Sequence, residues 1–187
     1  MAGKIILKVL LVAGILVIAF AIVMIVGSLI LLSMHHGDKE EILSADESAK
    51  KALIVYQPSL TKASGDVAHA FARGLNDGGY HVLLNHPGDH MASDISEYSI
   101  IVLGSPVYAG KTADALAEYI QGAGELSDKK VIVFFTAGSL DEGPESGRME
   151  ALLHGVETYA SIKFKFDDSA GNQDRAYQLG LDAASEE

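Results

Sequence analysis

The chain has 187 residues, 14 of them basic and 25 acidic, for a formal net charge of −11. An excess of acid this large repels nucleic acid and anionic lipid headgroups and favours basic partners. No cysteine is present, which excludes disulfides, thiolate metal sites and a cysteine nucleophile.

The amino-terminal segment is unlike the rest. From Val9 to Leu32 no residue is charged, and a helix of about 20 apolar residues already spans a bilayer core. Only a helix satisfies its own backbone in lipid, so residues 1–33 are expected to form one transmembrane anchor. The run also outlasts the apolar stretch of a cleaved secretory signal, about 7–15 residues. Lys4 and Lys8 are the only charges before His35, so the chain beyond keeps 12 of the 14 basic residues against all 25 acids, a formal charge of −13. Residues 51–187 suffice for one domain with one core. Residues 34–50 are polar and read as a linker, in which His35 and His36 lack the spacing of a metal site.

The domain alternates strand and helix patterns. Ala52 to Tyr56 is a continuous apolar run, the mark of a strand buried on both faces. Ser64 to Asn76 follows as a helix with Val67, Phe71 and Leu75 on one side. Tyr80–Leu84, Ile100–Leu103 and Val131–Phe135 read as further strands, with a helix over Thr112–Gln121. A helix is expected over Arg148–Tyr159, then an edge strand in which Ile162, Phe164 and Phe166 alternate with Lys163 and Lys165, then a closing helix over Asn172–Ala184. His86 to Tyr98 is too polar to predict a helix. This alternation implies an α/β domain with a parallel sheet covered on both faces.

Ligands of such sheets bind beyond the carboxyl ends of the strands, where strand order reverses. Three loops leave such ends. Gln57 to Ser64 runs into a helix and offers hydroxyls at Ser59, Thr61 and Ser64 beside helix-terminal amides, a donor set suited to phosphate. An ordinary turn with Ser64 as N-cap is the plainer reading of the same residues. Gly104 to Gly110 combines glycines and Pro106 with the aromatic face of Tyr108. Thr136-Ala137-Gly138-Ser139 is a turn of small residues.

Taken together, these segments resemble the flavodoxin family. Ser59-x-Thr61-x-x-Ser64 is similar to that family's phosphate loop, and Glu97 to Tyr108 to its strand and flavin-ring loop. Lys130 to Gly138 resembles the strand and turn on the flavin's other side. The resemblance implies a three-layer flavodoxin-like fold with five parallel strands in the order 2-1-3-4-5, counted along the domain. It implies FMN as cofactor. Ser59, Leu60, Thr61, Lys62, Ala63 and Ser64 would hold the phosphate. Ser105, Pro106, Val107, Tyr108, Ala109 and Gly110 would line one side of the ring, and Thr136, Ala137, Gly138 and Ser139 the other.

There are departures from the pattern. Lys62 stands where the family has glycine, Pro58 lengthens the loop, and Asp66 places an acid in the first helical turn. The expected function is membrane-anchored electron transfer through FMN, with a quinone- or NAD(P)H-linked reductase as an extension. The expected partners are the membrane, a basic or membrane-bound redox protein or a quinone, and no nucleic acid. A flavodoxin-fold interaction module that has lost FMN is the alternative. The flanking lysines are nearly even, with Lys39, Lys50 and Lys51 tipping the domain towards the cytoplasm; the cytoplasmic origin of FMN points the same way.

Overall fold

The structure is a computed structural model that describes residues 2–33, 40–43, 48–88, 91 and 94–186. Most of the expected linker, including His35, His36 and Lys39, lies outside the described residues. Helix α1 (Ala2–Ser33) is unbroken, and its stretch Leu7–Ile30 is long and apolar enough to cross a membrane. Near its end, Leu29 packs against the domain.

The domain is built on strands β1 (Glu40–Leu43), β2 (Lys51–Tyr56), β3 (His81–Asn85), β4 (Tyr98–Pro106), β5 (Lys130–Ala137) and β6 (Thr158–Lys165). They form one sheet in the order β1-β3-β2-β4-β5-β6. The five strands from β2 to β6 are parallel and ordered as the resemblance implies. The sheet is nevertheless mixed and six-stranded, not five-stranded, because β1 pairs antiparallel with β3 along its free edge. Glu40-Glu41-Ile42-Leu43 shows no alternation; pairing with β3, the Asn76 side-chain amide on the Leu43 carbonyl and the packing of Leu43 on the core recruit it from the segment expected to be linker.

Both faces of the sheet are covered, as continuous apolar strands require. Helices α2 (Ala63–Asp77) and α5 (Ser169–Ser185) cover one face over Ile54, Val102, Phe134 and Phe164. On the other face, α3 (Asp114–Gly122) and α4 (Pro144–Leu152) lie over Val55, Leu103, Val133 and Phe135. Val67, Phe71 and Leu75 are all buried, as their spacing predicts. No Cβ fits at Gly104, because it would stand 2.1 Å from the Phe134 ring.

The expected helix over Arg148–Tyr159 is corrected. It starts at Pro144, a residue suited to the first helical turn, and ends at Leu152. His154 and Gly155 then adopt left-handed backbone, with φ of 50° and 81°, so Val156 and Tyr159 are not helical. Tyr159 belongs to β6 instead. That strand buries Phe164 and ends at Lys165, which leaves Phe166 beyond it.

Candidate functional site

Strand order reverses between β2 and β4, since β3 lies on one side of β2 and β4 on the other. The carboxyl end of this pair is where α2, the Val107–Lys111 turn and the loop after β5 converge.

The first loop keeps an uncommon backbone. Lys62, the residue before α2, has φ 63° and ψ −5°, the left-handed conformation that glycine adopts without strain. The loop therefore turns as a glycine-bearing loop does, although a lysine occupies the position. Its carbonyl accepts the first helical bond from the Asp66 amide at 3.0 Å, and its own amide donates to the Ser59 carbonyl at 3.2 Å. The Ser64 amide donates to Ser59 Oγ at 3.1 Å, and Ser59 Oγ lies 3.4 Å from Thr61 Oγ1. Among the described residues, the amides of Thr61 and Ala63 have no hydrogen-bond partner. Two amides and two hydroxyls thus share the helix N-terminus, the donor set that a phosphate needs. Ser64 differs from expectation: it is fully buried, and its hydroxyl pairs with Thr136 Oγ1 at 2.7 Å.

The second segment divides between strand and turn. Ser105 and Pro106 belong to β4, and Ser105 is fully buried. Its hydroxyl donates to the Pro106 carbonyl and accepts the Ala113 amide, both at 2.9 Å, so it ties β4 to the start of α3. The Val107 amide donates to the Thr136 carbonyl at 2.8 Å. Tyr108 to Lys111 form a tight turn, with Ala109 at φ 51° and Gly110 at φ 72° and reciprocal bonds between Tyr108 and Lys111. Arg148 of α4 donates to the Gly110 carbonyl at 2.7 Å.

Tyr108 bridges the site. Its hydroxyl accepts the Leu60 amide at 2.9 Å, and its ring rests on Phe166, with centroids 5.8 Å apart. Burial pushes the Tyr108 phenol above its ordinary value, against the opposing pull of the Leu60 amide. Phe166, expected on the edge strand, stands in the site instead; its amide donates to the Ala137 carbonyl at 2.9 Å.

In the third segment, Thr136 and Ala137 are buried in β5, while Gly138 and Ser139 are exposed. A Cβ at Gly138 would meet nothing, so its backbone borders open space. Ser139 Oγ donates to Asp141 at 2.6 Å rather than facing the other two loops. Behind this loop, the buried Glu145 pairs with Lys163, which also donates to the Asp141 carbonyl. Burial works to raise the Glu145 carboxyl, but the Lys163 ammonium, the residue's own amide and Arg148 together hold it below the ordinary range. Among the described residues, no cluster of His, Asp or Glu is placed to hold a metal.

No family model matches this chain, and no curated protein does. Solved structures do. The flavodoxin of Streptococcus pneumonia TIGR4 superposes with a TM-score of 0.59 at 19% identity, over 71% of this chain and 98% of that one. Flavodoxin 2 from Bacillus cereus gives 0.59 at 19% identity, over 72% of this chain and 97% of that one. The fold is flavodoxin-like. The Flv1 flavodiiron core from Synechocystis sp. PCC6803 superposes at 0.62 with 17% identity over 74% of this chain, which spans only 36% of that protein. The flavodoxin-like region of this chain thus corresponds to nearly all of a flavodoxin and to about a third of a flavodiiron core.

Proposed function

We propose that the protein binds FMN at the carboxyl edge of its sheet and carries electrons at a membrane. The observation behind this reading is the left-handed Lys62, which keeps a phosphate-loop turn in a chain that lacks the glycine. The amides of Thr61 and Ala63, the hydroxyls of Ser59 and Thr61 and the positive end of α2 would hold the phosphate, with Lys62 as a nearby cation. Tyr108 and the turn through Gly110 would border one side of the ring, and Gly138 and Ser139 the other. FMN, when bound, supplies reversible electron transfer; the protein holds it and sets its surroundings. A formal charge of −13 on the domain disfavours added negative charge in the site, which favours a low potential and basic partners. Helix α1 supports a single-pass anchor, and the lysine distribution supports a cytoplasmic domain. A membrane-bound redox protein or a quinone is the partner class that an anchored carrier reaches.

The test is the flavin content of the full chain purified in detergent, followed by titration with FMN and riboflavin. Thr61→Ala removes a donor to a charged acceptor, about 1.5–3 kcal/mol, and should weaken FMN by about 10- to 150-fold while leaving riboflavin nearly unchanged. Equal losses for both would put the phosphate elsewhere.

One observation favours the second reading, an interaction module without FMN. The Tyr108 hydroxyl holds the Leu60 amide, one of the donors the phosphate loop would present. A chain that takes up neither flavin in the titration is this module.

A further inference from the structure

A groove runs between α3 and α4 beside the Tyr108–Lys111 turn. Its volume is about 460 Å³, and its apolar lining is Ala117, Ala151 and the half-buried Leu152. Small-molecule sites span about 300–1,000 Å³, so the space suits a compact ligand. The groove exists because α3 and α4 present alanines there, where larger side chains would close the gap.

Charge distinguishes this groove from its neighbours. Where it meets the turn it is bordered by Lys111 and Arg148. Among the described residues, the Lys111 ammonium has no hydrogen-bond or ion-pair partner. Arg148 places one of its five N–H donors on the Gly110 carbonyl at 2.7 Å, which fixes the guanidinium and leaves its other donors free. The acid on the border is Asp114, in the first turn of α3. Glu118, the next acid along α3, is exposed and does not line the groove, and Glu145 is already paired with Lys163. Two cations against one acid leave an excess of one positive charge, on a domain of formal charge −13. Two neighbouring grooves on the same face have the opposite sign. One is bordered by Glu150 and Glu157, the other by Glu125, and neither carries a lysine or arginine among the described residues.

We propose that this groove is a binding site for a small apolar carboxylate, an aryl or branched alkyl acid. The hydrocarbon body lies along Ala117, Ala151 and Leu152. The carboxylate pairs with Lys111 and with the free edge of the Arg148 guanidinium, a planar fork that matches carboxylate geometry. One excess positive charge suits one negative charge; a phosphate dianion would be repelled by Asp114 and by the acidic domain. Lys111 and Arg148 also hold the turn, through the bonds to Tyr108 and to the Gly110 carbonyl, so the ligand lies behind one wall of the candidate site. The inference goes beyond the FMN reading and stands with or without a flavin.

The probe is 2-naphthoate, titrated into the ¹⁵N-labelled full chain in detergent, with 2-naphthalenemethanol as a neutral compound of the same apolar body. Naphthoate should shift the Ala117, Ala151 and Leu152 amides saturably and bind severalfold more tightly than the alcohol. Lys111→Gln, at an exposed position, should weaken naphthoate by about two- to fivefold, the scale of a solvent-facing ion pair, and leave the alcohol unchanged. Ala117→Leu fills the groove and should abolish the remaining shifts with both compounds; Ala151→Leu does so from α4 if Ala117→Leu does not fold. No saturable shift at these amides would overturn the site. Equal affinity for acid and alcohol, or naphthoate binding unmoved by Lys111→Gln, would overturn the assignment to a carboxylate. Binding that survives a folded blocking variant would put the ligand elsewhere and overturn the proposal.

Discussion

The two faces of the sheet are built differently. On the α2/α5 face the helices meet backbone to backbone. A Cβ at Gly74 would stand 2.1 Å from the Tyr177 carbonyl oxygen, and one at Gly180 would stand 2.7 Å from that of Phe71. On the α3/α4 face the two helices are shorter and leave an open groove of about 460 Å³, bordered by Ala117, Ala151 and Leu152. Charge supplements packing there, through Glu145 with Lys163 and Arg148 on the Gly110 carbonyl. The close-packed face supports the loop proposed for phosphate, while the open face supports the Tyr108 turn and the loop after β5. A fixed anion cradle beside an adaptable wall suits a ligand whose phosphate needs set geometry and whose ring needs room.

The largest expected effect tests this contrast directly. Gly74→Ala forces a methyl group against backbone and should destabilise the domain by about 3 kcal/mol, at the upper end of overpacking. Ala117→Leu projects into the open groove and should change stability by less than about 1 kcal/mol. Urea unfolding of both variants checks the pair; similar losses would show that the faces are equally tight.

Next in size is the buried ion pair. Glu145→Gln leaves Lys163 facing a neutral amide and should cost about 2–3 kcal/mol, somewhat less than a wholly buried pair because Lys163 retains some exposure. Since the folded Glu145 carboxyl titrates below its unfolded value, its stabilisation is complete above the ordinary glutamate range, near pH 4.5, and disappears as pH falls through the lowered folded value. Hydrogen exchange should therefore show α4 losing protection in acid before α2 and α5, and this early loss should be absent in Glu145→Gln.

A smaller change sharpens the account of the phosphate loop. Lys62→Gly removes left-handed strain from a side-chain-bearing residue and should stabilise the domain by about 1 kcal/mol. A destabilised variant would mean that the lysine side chain holds the loop through contacts stronger than that strain.

Much of the architecture could be read from residue pattern, because buried parallel strands are continuous apolar runs and α2 carries a regular apolar stripe. The failures have physical causes. β1 is held by main-chain bonds to β3 and by contacts of Leu43 with distant residues, and it has no side-chain alternation to reveal it. The helix expected over Arg148–Tyr159 runs too far because Met149, Leu152, Leu153 and Val156 keep helical spacing through a backbone break at His154 and Gly155; Gly143-Pro144 marks its start. At the site, the loop positions were legible but the pairings across it were not. Ser64 with Thr136 and Arg148 with Gly110 join residues far apart in the chain, and nothing local encodes them. Lys62 was legible only as a departure; its left-handed backbone shows that the loop's shape survives the substitution.

The most direct measurement on the central claim is the amide NMR spectrum of the ¹⁵N-labelled full chain in detergent, recorded with FMN and then with riboflavin. If the carboxyl edge holds the phosphate, the Thr61 and Ala63 amides should shift strongly with FMN and little with riboflavin, while the Tyr108–Gly110 turn responds to both. Thr61 and Ala63 amides that stay in place with saturating FMN would contradict the account.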